Sequence, residues 1–374
     1  MNKQSIIVGV SGGIDSMVML DILYQEGYRI IVGHVDYGKR SDSYKDLLVI
    51  EAYVKDKEII VESLKVDSYD ESNFQAQARK IRYQFFVDLA KKYGCSTLYL
   101  GHHKDDYLET YLFQQSRPGL YDAYGIKEES FYQGLSVRRV MLGMYKTEIK
   151  DYAIKHSVPY HEDSSNLELN YTRNKIRHLL QDYTLEEKEA LYQEALLKNA
   201  IIDQEKEQVK QIDAYHYDVE TFKQLPLNIK RRLLFGKIQK YDMTLKHIDE
   251  LIRVLESKKD YTVKILDTFI SVSYGTIYLL HFYDFNYTIL INNQKSLQNF
   301  KKEFKVKFNF DIIIDNNDLP CIIKGLKQED WPLLVEDVKK FKKRLKGKKV
   351  PKCLMNALPV IEKEDKLIAF AFKY

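Results

Sequence analysis

The chain has 374 residues, 45% hydrophobic and 30% charged, with a formal net charge of +4; this excludes a disordered polymer and predicts two or three globular domains. No apolar run approaches the ~20 residues of a bilayer-spanning helix, and the opening residues lead directly into a strand, so neither a membrane anchor nor a secretory leader is expected. Three scattered cysteines, Cys95, Cys321 and Cys353, argue against a disulfide framework or a paired-cysteine metal site and for a reducing, cytoplasmic setting.

In chain order, Ser5–Val10 reads as a short buried strand, followed by a glycine-rich turn and an apolar-faced helix over Met17–Gln25. Arg29–Val35 predicts a second strand, with an amphipathic helix near Ser43–Lys57. Ile59–Leu64 gives a third strand, Phe74–Tyr93 a long helix, Thr97–Leu100 a fourth strand and Asp105–Gln115 another helix. Strands separated by crossover helices predict an α/β fold with a doubly wound parallel sheet, whose ligands bind at the carboxyl ends of the strands. From Leu185 to Glu256 the pattern is helix-rich, and Tyr261–Phe282 reads as β-hairpin material turning at Tyr274-Gly275-Thr276. Asn292–Lys302, polar and rich in lysine and glutamine, reads as a linker, and Phe304–Tyr374 as a small α+β domain. The expected division is an α/β domain over 1–184, a helix-rich middle domain over 185–290 and a basic C-terminal domain over 300–374.

The first chemical signal is Ser11, Gly12, Gly13, Ile14, Asp15 and Ser16, set between the first strand and its helix. Two glycines let the backbone approach a ligand closely, and the helix start beyond them offers unpaired N–H groups to an anion. Ser11 and Ser16 can add hydroxyl donors, and Asp15 can hold Mg²⁺ on bound phosphates. Neither the Walker nor the dinucleotide glycine pattern is present. The bland alternative is a Gly-Gly turn with a serine cap.

The second signal follows the fourth strand, in Gly101-His102-His103-Lys104-Asp105-Asp106-Tyr107-Leu108-Glu109-Thr110. Asp105 and Asp106 lie four and three residues before Glu109, so they can share a helix face with it. Carboxylates that close need a cation, and Mg²⁺ accompanying a nucleotide would serve; an ordinary acidic first helical turn is the competing reading. The third signal is Glu162-Asp163-Ser164-Ser165-Asn166, then Tyr171, Arg173 and Arg177. Arg173 and Arg177 are four apart on an expected helix, where their guanidinium forks suit phosphate or carboxylate. Finally, Lys339–Lys352 holds nine basic residues and no acidic one, a polyanion-facing surface or a plain solvated helix.

The motifs SGGxDS, GHHxDDxxET and EDSSNxxxxYxRNxxR, in this order, resemble those of the tRNA(Ile)-lysidine synthetase family, members of the PP-loop superfamily of N-type ATP pyrophosphatases. His34–Arg40, Asn73–Arg79 with Arg82-Tyr83, and Arg139–Lys146 add to the match. The likeness is strong from residue 5 to about 180 and returns at Lys342–Phe370, similar to the family's tRNA-contacting C-terminal domain. This chain departs from the family at Asp36-Tyr37, usually Asn and His, at Arg117–Leu120, usually Arg-Gly-Ser-Gly, and at Arg139–Leu142, usually Arg-Pro-Leu-Leu.

The resemblance implies an adenine nucleotide alpha hydrolase-like fold, with ATP and Mg²⁺ as cofactors. It places Ser11–Ser16, Asp36 and His102 at the nucleotide, Asp15, Asp106 and Glu109 at the metal, and Asp15, Asp105, Asp106, Glu109, Arg173 and Arg177 in catalysis. The partners implied are an isoleucine tRNA with a CAU anticodon and free lysine; oligomeric state is left open, a homodimer included. The implied reaction adenylates O2 of the wobble cytidine, after which the lysine ε-amine attacks C2 and expels AMP. A tRNA thiolase of the same superfamily would need a reactive cysteine, and Cys95 is the only one in the first domain. A nucleotide-gated RNA-binding protein without catalysis is the rival of a different class.

Overall fold

The computed structural model describes residues 4–38, 42–66, 74–117, 119–161, 173–238, 243–257, 259–281, 287–308, 311–313, 319, 321–325, 334, 337–347, 350, 351, 354, 358–363, 366–369 and 371–373. The chain forms two units, Met1–Arg117 with Tyr121–Ala200, and Pro118–Leu120 with Ile201–Tyr374.

The first unit begins with β1 (Ser5–Gly9), whose Ile6, Ile7 and Val8 have no exposed surface, as a central parallel strand requires. It continues through α1 (Ile14–Gln25), β2 (Arg29–Asp36), α2 (Tyr44–Val54), β3 (Ile60–Lys65), α3 (Phe74–Tyr93), β4 (Thr97–Leu100) and α4 (Lys104–Gln115). These match the expected elements to within three residues at each end. A hairpin follows, β5 (Glu129–Tyr132) and β6 (Leu135–Arg138), turning through Gln133 and Gly134 at φ 47° and 84°. Two positive φ values in a two-residue turn suit the right-handed strand twist. Then come α5 (Lys146–Lys155), α6 (Arg173–Asp182) and α7 (Leu185–Ile212), which carries the chain into the second unit.

The sheet order is β3-β2-β1-β4-β6-β5, parallel throughout except for β5 at the edge. This is the doubly wound sheet predicted, with an antiparallel edge that the alternating pattern did not announce. The chain moves outward from β1 through β2 to β3, then returns to β4 on the other side. That reversal opens a crevice beyond the carboxyl ends of β1 and β4. One face is covered by Met17 and Leu20 of α1 with Ile149 and Ala153 of α5. On the other face Tyr83, Phe86 and Leu89 of α3 pack on Ile7, Leu98 and Leu100. The Phe86 ring fills a notch above two strands: a Cβ at Gly9 or at Gly33 would come within 2.8 Å of it.

The second unit opens with β7 (His216–Asp218), α8 (Val219–Gln224), α9 (Leu227–Ile238) and α10 (Leu245–Glu256). The strands β8 (Tyr261–Ile265), β9 (Thr268–Ser273) and β10 (Thr276–His281) join β7 in an antiparallel sheet of order β7-β10-β9-β8. Tyr274 and Gly275, at φ 49° and 77°, make the β9–β10 turn, and Thr276 already belongs to β10. Ile248, Leu251, Ile252 and Leu255 form the buried stripe of α10 against Ile270 and Val272 of the sheet.

After β11 (Thr288–Ile291) the expected linker is instead the helix α11 (Gln294–Phe308). Its Leu297, Phe300, Phe304 and Phe308 fall on one side and are buried in the last core, while lysines and glutamines cover the outer side. The polar content of 292–302 masked a helical period whose later apolar members lie beyond that window. The remaining elements are β12 (Asp311–Ile313), β13 (Cys321–Gly325), α12 (Val338–Gly347), β14 (Pro359–Lys363), β15 (Lys366–Ala369) and β16 (Ala371–Lys373). The strands β11-β13-β14-β15 form a second antiparallel sheet, and β12 pairs with β16. Among the described residues no helix is long and apolar enough to cross a membrane.

Replacing Phe300, 7% exposed, by Ala should cost about 3–5 kcal/mol through lost burial and a residual cavity. A lowered denaturant midpoint of the full chain checks this; a side chain on a solvated linker would leave the midpoint unchanged.

Candidate active site

The phosphate loop occupies the crevice between β1 and β4. Gly12 has φ +89°, a left-handed conformation that glycine adopts without strain, and its Hα side faces α2: a Cβ there would lie 2.8 Å from the Cα and Cβ of Asp46. Gly13 occupies the N-cap of α1 and offers no side-chain hydrogen bond to the N–H groups of the first turn. The loop is braced internally. The Ser11 amide donates to Ser16 Oγ at 3.1 Å, Ser16 Oγ donates to the Gly13 carbonyl at 2.9 Å, and the two serine hydroxyls lie 3.1 Å apart. On the other side the turn after β4 packs closely, since a Cβ at Gly101 would meet the Asp15 carbonyl group and Ser16 Cα at 3.3 Å.

A cavity of about 420 Å³ opens over this loop, within the range of nucleotide-sized sites. Its wall includes Ser11, Gly13, Asp15 and Ser16 of the loop. Asp36 and His102, expected at the nucleotide, line it as well, together with Arg82. Asp36 Oδ1 accepts from the Gly38 amide at 2.8 Å and so shapes the end of β2. His102 is held neutral, its pKa down at about 4. Burial is the main cause, Asp106 opposes it, and the guanidinium groups of Arg139, Arg82 and Arg79 add to it. Among the described residues His102 Nδ1 and Arg82 Nε are buried with no hydrogen-bond partner.

The four predicted carboxylates divide into two kinds. Asp15 and Asp106 both face His103 Nε2, at 3.8 and 3.4 Å, and so flank one buried imidazole beside the loop. Asp15 also accepts a hydrogen bond from Lys146 Nζ, and Asp106 accepts the His103 amide at 3.0 Å, capping α4. Asp105 and Glu109 instead tie helices together. Asp105 takes Lys188 Nζ of α7 and the Lys146 amide, each at 2.8 Å. Burial pushes its carboxyl pKa up, but the Lys188 hydrogen bond, the Lys146 amide and the charges of Lys188 and His103 outweigh it, and the net shift is downward. Glu109, 9% exposed, accepts from Arg177 Nε and a terminal nitrogen at 3.2 and 3.1 Å, joining α4 to α6.

Thus the structure brings Asp15, Asp106 and His102 to the loop and pairs Glu109 with Arg177. Arg173 starts α6, but its side chain lies outside the described residues, as does the whole 162–172 stretch of the third motif. Among the described residues no group of three or more His, Cys, Asp or Glu side chains forms a protein-only metal cage. Mg²⁺ needs none, since one or two carboxylates complete its shell with phosphate oxygens and water.

Sequence reasoning did not assign Lys146, His103, Lys188, Lys104 or Glu189. Lys104 Nζ, mostly buried, meets Glu189 at 2.6 Å and lies 4.4 and 4.2 Å from the ring centres of Tyr145 and Tyr192. Hydrogen bonds from Lys104, Gln193 and Tyr145 hold the Glu189 carboxyl down at about 2. Lys146 could have been read from the Arg139–Lys146 family match. Lys188 and Glu189 carry no local signal, because their partners are 83 and 85 residues away.

A family model described as a PP-loop domain matches residues 1–183. The tRNA(Ile)-lysidine synthase of Mycoplasma pneumoniae is 34% identical over 291 residues, covering 75% of this chain and 99% of that one. Those of Mesoplasma florum and Exiguobacterium sibiricum are 36% and 28% identical, covering 54% and 68% of this chain. These two alignments span 52% and 63% of the relatives' own lengths. With the glycine loop at the switch point and the carboxylates beside it, this chain belongs to the tRNA(Ile)-lysidine synthase family of PP-loop proteins.

Proposed function

We propose that this protein is an ATP-dependent ligase acting on an isoleucine tRNA with a CAU anticodon, joining lysine to C2 of the wobble cytidine and releasing AMP and pyrophosphate. One observation carries the reading: the glycine-bounded, uncapped start of α1 lies at the switch point of the sheet, in a chain so similar to a curated tRNA(Ile)-lysidine synthase.

The cytidine O2 is a poor leaving group until adenylated, which is why the reaction consumes ATP. As O2 attacks the α-phosphate, charge builds on the departing pyrophosphate. The N–H groups of α1 and the Ser11–Ser16 hydroxyls are fixed in place beforehand, so they meet that charge without reorganising. Lys146 brings an ammonium to the same loop, where it can follow charge on the α-phosphate. Asp15 and Asp106 would hold Mg²⁺, which when bound neutralises phosphate charge. His102 and Arg82 line the cavity, and the neutral imidazole suits contact with a nucleobase.

Lysine must shed a proton from an ammonium of reference pKa ~10.4 before it can attack C2. We assign Arg177, and Arg173 four residues before it, to the substrate's phosphate or carboxylate groups. For the tRNA backbone we assign α12. Its Phe341 and Leu345 are buried, while Lys339, Lys343 and Lys346 are exposed on the opposite face. Lys348, Lys349 and Lys352 of the same basic run lie outside the described residues. The domain division at 184, 290 and 300 and a homodimer stay as proposals.

Asp15→Ala should reduce AMP formation at least ~100-fold, the scale for losing a group that organises transition-state charge. Its tRNA affinity by filter binding should stay within about a factor of two; near-normal turnover would remove Asp15 from the nucleotide site. Changing Lys339, Lys343 and Lys346 together to Gln should weaken tRNA binding and flatten log Kd against log salt by roughly two units, at 0.7–0.9 per phosphate contact. Parallel salt plots for variant and wild type would show that α12 is only a solvated basic helix.

A further inference from the structure

His161 closes the phosphate loop from outside, and neither the motifs nor the reaction uses it. Its amide donates to the Gly12 carbonyl at 3.0 Å. Its ring Nδ1 lies 2.8 Å from Asp46 Oδ1, and Nε2 lies 3.6 Å from Asp42 Oδ2. Asp46, 8% exposed at the start of α2, is the residue whose backbone abuts the Hα side of Gly12. One residue therefore grips both flanks of the same glycine, through its own peptide on the carbonyl side and through Asp46 on the other. His161, Ser43 and Asp46 also form part of the wall of the 420 Å³ cavity.

We propose that His161 is a positioning residue for the nucleotide site: through Asp46 it fixes Gly12 in its left-handed conformation and so aims the N–H groups that begin α1. The inference rests on the reading of this loop as an ATP site. Gly12 has no side chain with which to resist rotation, and glycine visits many backbone conformations at little cost. The direction in which the following N–H groups point depends on that one residue, so an external clamp improves anion binding by reducing the ordering left to the ligand. A second consequence is local. His161 immediately precedes the 162–177 motif, so the chain carrying Arg173 and Arg177 begins at the phosphate loop.

The test compares three substitutions by calorimetry with a non-hydrolysable ATP analogue, by KM for ATP and kcat in AMP formation, and by melting. Asn places a polar nitrogen where Nδ1 stands, whereas Gln places one nearer to Nε2, and Ala has neither. His161→Ala should weaken the analogue and raise KM roughly tenfold, the worth of one hydrogen bond to a carboxylate, with kcat within about twofold. His161→Asn should restore affinity to within about threefold of wild type, while His161→Gln should behave like Ala. If His161→Ala does not fold, the Asn–Gln contrast carries the same decision. Equal affinities in all variants, or Asn and Gln equally impaired with lowered melting, would overturn the positioning role alone. A wild-type chain that fails to bind the analogue would overturn this inference together with the ATP-site reading.

Discussion

At the start of α1 residue 13 contributes no side chain, so it takes none of the first-turn N–H groups away from an anion. Any serine, threonine or aspartate there would satisfy an N–H group of the first turn and remove it from the cavity. The rest of the site follows from keeping that opening both free and rigid. Ser16 braces the loop from inside, Asp46 and Gly101 press on its backbone from two sides, and the Gly12 carbonyl is tied to residue 161. The sheet supplies the location, since only at the β1–β4 reversal do two neighbouring connections leave in opposite directions.

Gathering several carboxylates beside a phosphate site creates an electrostatic problem, and the protein solves it with its own cations. Lys146 stands on Asp15, Lys188 on Asp105 and Arg177 on Glu109, with His103 among Asp15, Asp105 and Asp106. The contacts serve two ends. Those of Asp105 and Glu109 draw α7 and α6 onto α4; those of Asp15 and Asp106 keep negative charge at the loop without bare repulsion. A buried pair of this kind adds little net stability, yet losing one partner leaves an uncompensated charge. The ion pairs therefore fix geometry more than they stabilise the fold.

The strands and helices of the first unit were legible because their signals are local. Ile6–Val8, Ile30–Val32 and Leu98–Leu100 are short apolar runs bounded by turn residues, and SGGxDS sits directly after the first of them. The antiparallel β5–β6 edge was not legible: its burial alternates weakly, and its Gln133-Gly134 turn carries only one glycine. α11 was misread because composition was weighed over a window holding two of its four core residues, Leu297 and Phe300. At the site, the loop and the α4 carboxylates could be named from spacing alone. Which cation meets which carboxylate could not, since Lys188, Arg177 and Lys146 come from elements 83, 68 and 131 residues distant from their partners.

The Phe86 ring over Gly9 and Gly33 carries an evolutionary consequence. Three positions far apart in the chain share one volume, so none can change size independently. A methyl group added at 9 or 33 collides with the ring at 2.8 Å, while a smaller residue at 86 leaves two strands with a void above them. Drift at this spot must therefore proceed by compensated steps, with a bulkier residue at 33 accompanied by a slimmer one at 86, and one at 9 needing room from Leu100 as well. Across related sequences the three columns should covary as a steric trio.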